Sequence, residues 1–372
     1  MKILITNQYM MNRTGSELFT VELAQLLTEH GHEVYIYSPV TELAVGSEVV
    51  ITDDLQSIAN IDFDIIHAQH NITALLARSV FPNVPIVYMS HGILPSIEQP
   101  PSVPIGVALY IAVSEEVQDN LVNNHNIDVD KVKIVCNAVD TEKYHSFKPV
   151  NKELKNILVV SNHYSSEVRF NITEAAKRVG ANVRHIGLPH NVAKDVAKEI
   201  NKADLVVTLG RGVLEACACE RNVLVYDIHG LDGMVDEGSF HKLRTKNFSG
   251  RFYAKQCSPQ DILQEFKKYD LASGVKLRSI VKKDSSVIIA VEQLEEIYLK
   301  AIKIGVNGSL LESGMLQREL TFLFGEYNAC WVQCKYKRVL LRYGFIRFFI
   351  SIYKYLQALL FKYKKGKKRI NK

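Results

Sequence analysis

A short run of residues near position 212 has the composition of a site for a phosphate-bearing ligand. Gly210-Arg211-Gly212 stands just before a predicted helix, where small residues let backbone amides approach an anion and arginine offers a planar fork of donors. Glu215 follows one turn into that helix, and its carboxylate can accept hydrogen bonds from ligand hydroxyls. A plain turn with a solvated arginine, and a glutamate favoured by the helix dipole, remain the alternative interpretations.

Three further positions follow predicted strands and are candidates for the same or a neighbouring site. His91 comes after the apolar strand Pro85–Met89, and Gly15 and Arg169 come after the first predicted strand of each half of the chain. Because ligands of open α/β sheets bind beyond the carboxyl ends of strands, all three could face a cleft. A satisfied core histidine, an ordinary glycine turn and a solvated arginine stay open as alternatives.

The sequence predicts no metal site. Asp62-Phe63-Asp64 has the DxD spacing of a metal motif, but it runs into a predicted buried strand. The pair Cys217 and Cys219 lacks a second pair at zinc spacing, so buried thiols are expected there.

Strand and helix patterns alternate along the chain in the manner of βαβ units. Lys2–Thr6, a helix with apolar residues at helical spacing, and Glu33–Tyr37 form the first unit. The alternation continues to about residue 144 and starts again at Ile157–Ser161, after a polar segment at 145–156. We therefore predict two facing Rossmann-like domains with a cleft between them. A helical pattern over Val287–Ile304 is expected to close the second domain.

Length and charge agree with this organisation. The 372 residues suffice for two cores, and the predicted boundaries are 1–145, 146–304 and a helical basic tail at 305–372. The tail is strongly basic, since residues 335–372 hold thirteen Lys and Arg and no acidic residue. The 45 basic and 40 acidic residues of the chain therefore leave 32 and 40, or −8, for residues 1–334.

Three segments, in this order along the chain, resemble retaining family-four glycosyltransferases (glycosyl transferases group 1) of the GT-B fold. Segment 14–34 contains TGSE and HGHEV, segment 111–144 contains IAVSE and NAVDTEKY, and segment 210–218 reads GRGVLEACA. The resemblance implies a nucleotide-diphosphate-sugar donor of the UDP or GDP type, no metal and no other cofactor. It also implies that His91 acts in catalysis, and that the leaving phosphate itself serves as the base. The predicted donor-binding residues are Gly15, Arg169, Gly210, Arg211, Gly212 and Glu215.

Two departures from the family pattern bear on activity. The family places a second glutamate eight residues before the one matching Glu215, and that position is Val207 here. The family's basic phosphate clamp after the first strand of the second domain is also missing, and Arg169 is the candidate to replace it. A non-catalytic GT-B homologue and a nucleotide-sugar epimerase are therefore kept as alternatives to a glycosyltransferase.

The tail predicts a membrane-surface helix. In residues 339–361 a narrow polar stripe accompanies a wide aromatic and aliphatic face, and its longest uncharged run is far too short to span a bilayer. The polybasic end then suits anionic lipid, so residues 339–372 are predicted to bind an anionic membrane and no nucleic acid. A helix packed on the second domain, followed by a solvated charge run, is the alternative.

The family resemblance, together with the predicted membrane-surface tail, implies a hexosyltransferase acting on a glycan or lipid-linked acceptor in bacterial envelope polysaccharide or lipopolysaccharide synthesis. Scattered cysteines and an amino terminus unlike a signal peptide favour a cytoplasmic protein, peripheral on the inner face of the membrane. The sequence leaves the sugar, the base, the acceptor and the linkage open.

Overall fold

The first half of the chain forms a seven-stranded parallel sheet. The computed structural model describes residues 1–11, 15–42, 46–94, 96–162, 164–188, 191–306 and 319. The elements of this half are β1 (Lys2–Thr6), α1 (Gly15–Glu29), β2 (Glu33–Tyr37), β3 (Val50–Thr52), β4 (Ile65–Ala68), α2 (Asn71–Val80), β5 (Ile86–Ser90), β6 (Val107–Ala112), α3 (Glu115–Asn123) and β7 (Val132–Ile134). We call this sheet with its helices the first lobe.

The strand order of the first lobe is β3-β2-β1-β4-β5-β6-β7. Its central strands are continuous apolar runs because helices cover the sheet, and β4 and β5 are buried at every position. The chain reverses its direction of strand addition between β1 and β4, which is the point where an α/β sheet opens a ligand crevice. Helix α1 begins at Gly15, after β1, and therefore lies at that point.

The second half forms a five-stranded sheet, which with its helices we call the second lobe. Its order is β12-β11-β10-β8-β9, and β12 is antiparallel to β11. Between β8 and β10 the strand order again reverses, giving a second switch point. The elements are β8 (Asn156–Val160), α4 (Ser166–Val179), β9 (Asn182–Ile186), α5 (Val196–Ile200), β10 (Leu205–Thr208), α6 (Arg211–Ala218), β11 (Asn222–Asp227), β12 (Gly230–Met234), α7 (Phe240–Arg244), α8 (Pro259–Phe266) and α9 (Ser273–Asp284).

The last helix, α10 (Val287–Ile304), packs on the first lobe. Its buried residues, among them Leu294 and Tyr298, join the same core as α1, β4, β5 and β6. Glu295 on its flank accepts from His32, with Oε1 2.7 Å from Nε2. The expectation that this helix closes the second domain is therefore wrong, because its apolar face packs against the first sheet.

Asp204 fixes the polar segment that joins the lobes. This buried carboxylate accepts hydrogen bonds from the backbone and side chain of Asn151, from Lys155 N and from Asn156 N, at 2.8 to 3.1 Å. Burial by itself raises the pKa of Asp204, but these donors outweigh it and leave the pKa below its usual value. Asp204 thus holds the end of the joining segment that leads into β8.

The described residues include no helix long and apolar enough to cross a membrane. The predicted amphipathic helix at 339–361 and the polybasic end lie outside the described residues. The predicted domain boundaries stay predictions, although both sheets belong to one compact unit that runs from Met1 to Leu310.

We expect Asp204→Asn to lower the free energy of unfolding by about 1–3 kcal/mol at pH 7, because buried amides lose charged acceptors. The folded-state pKa is depressed, so this stabilisation is complete above the unfolded value of about 4 and is lost as the pH falls through the folded value. Urea unfolding at pH 7 and below pH 4 measures both effects. Asp130→Asn, at an exposed position, is the control and should change stability by less than about 0.5 kcal/mol. If the difference in unfolding free energy between Asp204→Asn and the wild type were as large below pH 4 as at pH 7, this role of Asp204 would be contradicted.

Candidate functional site

A cavity of about 660 Å³ lies at the switch point of the second sheet. Its walls come from α1, the crossover segment 139–147, the carboxyl ends of β8 to β11, the residues before α5 and the first turns of α6. Gly15, Arg211, Gly212 and Glu215 all line it, so the structure brings together four of the predicted donor-binding residues. The volume is in the range of small-molecule and cofactor sites.

Helix α6 begins at Arg211, two residues earlier than predicted, so Arg211 and Gly212 lie in its first turn and not before it. Gly210 is its N-cap residue with φ +54°, a backbone conformation that favours glycine, and it does not line the cavity. Gly212 lies in the first turn, where an added Cβ would come within 2.4 Å of Thr208 Oγ1. Because Thr208 Oγ1 is fixed by a 3.0 Å bond to Val160 O, glycine at 212 lets α6 pack against the end of β10.

Arg211 and Glu215 form an ion pair on one face of α6. They are four residues apart, and Arg211 Nε lies 3.1 Å from Glu215 Oε1. Their side chains are only 11% and 9% exposed. Burial alone would lower the pKa of Arg211, but the carboxylates of Glu215 and Glu22 raise it, so the guanidinium stays charged. Burial raises the pKa of Glu215, and Arg211 opposes that rise.

Two more charged groups join this pair from outside the second sheet. Glu22, on α1 of the first lobe, accepts a hydrogen bond from Arg211 Nη2, and its Oε1 lies 3.2 Å from Lys143 Nζ. We name Glu22, Lys143, Arg211 and Glu215 the cleft ion network. Tyr144 also bonds to Glu215, and burial followed by the Glu215 charge raises the pKa of its phenol. Sequence reasoning did not assign roles to Glu22, Lys143 or Tyr144, although the last two stand in the NAVDTEKY segment.

Among the described residues, the cavity lining carries as many carboxylates as cations. Lys143, Lys194 and Arg211 are matched by Glu215 and two aspartates, Asp195 and Asp227. Binding of an anion here cannot rest on net positive charge, so it must depend on individual donors pointed into the cavity. Among the first-turn amides of α6, Gly212 N and Val213 N already donate to Leu209 O and Gly210 O. The guanidinium of Arg211 is therefore the strongest anion-binding group of α6.

Two glycines of the cavity wall differ in the space around them. Gly15 is exposed, and a Cβ added there would meet no atom of the described residues within 4 Å. Gly187, after β9, has φ +151°, and an added Cβ would lie 2.0 Å from Ser161 O. Gly15 therefore borders open space, whereas Gly187 is required by the close approach of two strand ends.

His91 lies at the carboxyl end of β5 in the first lobe and does not line this cavity. Its Nε2 is 3.1 Å from Gln69 Oε1, and its ring packs edge-on against Phe19 with 5.1 Å between centroids. Burial lowers the pKa of His91 to about 4, so the imidazole is neutral at physiological pH. The catalytic role implied by the resemblance stays a prediction.

Arg169 does not line the cavity, contrary to its predicted place in the cleft. Arg169 lies in the first turn of α4 and not in a loop after β8. The helix begins at Ser166 because the side chain of Ser165 caps it by accepting a hydrogen bond from Val168 N. On that helix Arg169 is exposed and its guanidinium stacks over the Tyr164 ring, 5.1 Å from the centroid.

Val207 cannot be replaced by a cavity-facing carboxylate without other changes. It lies inside β10, is 1% exposed and packs in the core of the second sheet. The position eight residues before Glu215 therefore lies in a buried strand. A carboxylate at this position would be in the core and not in the cavity, so the second glutamate of the family pattern has no equivalent here.

Solved structures with similar folds support this architecture. A glycosyltransferase from Rickettsia africae is 16% identical and matches over 81% of this chain and 99% of its own, with a TM-score of 0.57. WaaG, a glycosyltransferase involved in lipopolysaccharide biosynthesis, is 11% identical and matches over 82% of this chain and 100% of its own, with a TM-score of 0.50. The UDP-GlcNAc 2-epimerase of Neisseria meningitidis, bound to UDP-GlcNAc, is 14% identical and matches over 81% of this chain and 100% of its own, also with a TM-score of 0.50. These likenesses confirm the predicted GT-B fold.

A sequence match over part of the chain supports the glycosyltransferase class among those that share this fold. Residues 50–143 match the family model Glycosyltransferase Family 4. The chain is a glycosyltransferase of the GT-B type. The predicted resemblance to that family is thereby confirmed, and no curated protein sequence matches this chain.

The close approach at Gly187 of this glycosyltransferase gives a direct test of the cavity wall. Gly187→Ala should lower the free energy of unfolding by about 1–3 kcal/mol, because the methyl group would clash with a backbone oxygen at a positive φ. Gly46→Ala is the control, since the nearest atom to its added Cβ is 3.7 Å away. Urea unfolding of both variants measures the difference. Equal stability of the two variants would show that the β8 and β9 ends are not packed as described.

Proposed function

We propose that this glycosyltransferase binds a nucleotide-diphosphate sugar of the UDP or GDP type in the 660 Å³ cavity and transfers its hexose with retention. The observation that carries the proposal is the buried Arg211–Glu215 pair, presented by α6 at the switch point of the second sheet. A cation and a carboxylate side by side match the two polar parts of such a donor, its diphosphate and its ribose.

Arg211 is the proposed diphosphate ligand. Two of its three guanidinium nitrogens bind carboxylates, while Nη1 makes no hydrogen bond to another described residue. The two N–H groups of Nη1 are thus left for phosphate oxygens, in the planar geometry that arginine offers to phosphate. The positive end of the α6 dipole, which begins at Arg211, adds to the stabilisation of the leaving group.

Glu215 is the proposed ribose ligand. Its second oxygen, Oε2, is not engaged by Arg211, and the side chain lines the cavity. A buried carboxylate that accepts from both ribose hydroxyls forms charge-assisted hydrogen bonds, which are about twice as strong as neutral ones. This role is the one that the resemblance implies for the glutamate of the LEACA segment.

The proposed reaction exchanges one C–O bond for another. The bond between the anomeric carbon and the diphosphate oxygen breaks, and the electron pair leaves with the diphosphate. The acceptor oxygen forms the new bond on the same face, and its proton passes to the departing phosphate oxygen, which gives retention without a protein nucleophile. We assign neutral His91 to contacts with the sugar or acceptor on the first-lobe side. No metal enters this scheme.

We further propose a glycan or lipid-linked acceptor in bacterial envelope polysaccharide or lipopolysaccharide synthesis. WaaG is involved in lipopolysaccharide biosynthesis, and the basic amphipathic segment 339–372 suits the surface of an anionic membrane. The enzyme would then act on the cytoplasmic face of the membrane, as a peripheral protein that binds no nucleic acid.

Gly15→Ala tests whether the donor approaches the first lobe. The methyl group has room in the free protein, and alanine favours the helix that Gly15 begins, so the melting temperature should not fall. If donor phosphates occupy the space beside Gly15, nucleoside diphosphate affinity should fall about tenfold, as calorimetric titration would show. Unchanged affinity would remove Gly15 from the donor site.

The direct test is release of nucleoside diphosphate from UDP-, GDP- and ADP-sugars by the full-length protein with bacterial membrane lipid. We expect turnover with one donor, and a loss of roughly 10- to 100-fold in kcat/KM for Glu215→Ala, from the ribose hydrogen bonds. Glu174→Ala, on the exposed face of α4, is the matched control and should retain activity.

Each other result favours a different function. Tight binding of one nucleotide without turnover would favour the non-catalytic homologue. Conversion of the donor sugar in the absence of any acceptor would favour the epimerase. Equal activity of Glu215→Ala and the wild type would remove Glu215 from the donor site.

A further inference from the structure

Glu22 is the member of the cleft ion network that does not line the cavity, as far as the described residues show. It lies one turn beyond Leu18 on α1, and Leu18 does line the cavity. Glu22 is 14% exposed and contacts Arg211 Nη2 from the first lobe and, unlike Arg211, it is not among the described residues that line the cavity. A ligand in the cavity can therefore reach Arg211 without displacing Glu22.

The guanidinium of Arg211 is held at two points by carboxylates from two lobes. Glu215, on its own helix, binds Nε at 3.1 Å, and Glu22, on the other lobe, binds Nη2. A planar group fixed at two of its three nitrogens has its third nitrogen fixed in direction as well. Nη1 is that third nitrogen, and it is the one assigned to the diphosphate.

We propose that Glu22 is a positioning residue of the donor site, supplied by the first lobe, that aims Arg211 Nη1 at the donor diphosphate. This inference rests on the proposed function and adds to it a requirement: the diphosphate site is complete only when the two lobes are docked. A carboxylate on α1 thus links the geometry of the cleft to the affinity for the diphosphate.

Removing the Glu22 charge has two opposite physical effects. It leaves Lys143 and Arg211 facing Glu215 alone, and this excess of positive charge would by itself strengthen binding of an anion. It also frees the arginine side chain to take other rotamers, which weakens binding through lost preorganisation. The sign of the change in affinity therefore tells positioning apart from simple competition between Glu22 and phosphate.

A second ion pair between the lobes supplies the control for lobe docking. Arg251, in the second lobe, binds Glu116 of α3 through two hydrogen bonds, of 3.2 Å and 2.5 Å. Glu116→Gln removes a cross-lobe ion pair without touching Arg211. Glu29→Gln removes an exposed carboxylate from α1 itself and controls for the charge of that helix.

The experiment is calorimetric titration of the full-length wild type, Glu22→Gln, Glu116→Gln and Glu29→Gln with UDP, GDP and ADP and with the matching nucleosides. Glu22→Gln should weaken binding of the preferred diphosphate about tenfold and change nucleoside binding by less than about twofold, because only the diphosphate contacts Arg211. The two control variants should bind both ligands within about twofold of the wild type. Thermal unfolding establishes that each variant is folded. Glu22→Asp keeps the negative charge but has a shorter side chain, so it should weaken diphosphate binding as well.

Unchanged or tighter diphosphate binding by folded Glu22→Gln would overturn the inference, and so would equal weakening in Glu116→Gln. Binding of the diphosphate by Arg211→Ala and Glu215→Ala as tightly as by the wild type would instead reject the proposed donor site. Loss of affinity in those two variants, with none in Glu22→Gln, would leave the proposed function standing and reject only the role of Glu22.

Discussion

The buried charge of Arg211 is the constraint on which the arrangement of the cleft depends. A guanidinium only 11% exposed must be paired, because an unpaired charge at that depth costs several kcal/mol. The two carboxylates that pair it come from α6 and from α1, so the requirement of one side chain joins both lobes. Lys143 then balances the second carboxylate from the crossover segment. The four charges of the network sum to zero, and two nitrogens of the Arg211 guanidinium are held by its carboxylates.

The backbone around this group is arranged to allow the contact. Gly210 turns the chain from β10 into α6 with a positive φ, and glycine at 212 lets that helix lie against Thr208. Asp204 anchors the joining segment that leads from the crossover to the second sheet. Helix α10 returns to the first lobe, so the chain passes between the lobes twice, once before β8 and once before α10. These features place α1 and α6 within hydrogen-bonding reach.

The sequence predicted the parallel core because apolar runs and helical periodicity persist in a buried α/β sheet. It did not reveal β12, whose glycines Gly230 and Gly233 give no strand pattern and pair with β11 only through tertiary contact. Arg169 was misplaced because the Ser165 cap starts α4 inside a segment that reads as polar loop. Glu22 carried a weak signal, a charged residue four positions from cavity-lining Leu18 on the same helical face. Its partner is 189 residues away, so no local pattern could identify the pair.

The central claim is that Arg211, held between Glu215 and Glu22, binds the donor diphosphate. A crystal structure of the full-length protein with its preferred nucleoside diphosphate tests this most directly. The account predicts a phosphate oxygen about 3 Å from Arg211 Nη1, ribose hydroxyls on Glu215, and Nη2 still bonded to Glu22. A nucleotide bound outside the cavity, or a diphosphate that makes no contact with Arg211, would contradict it.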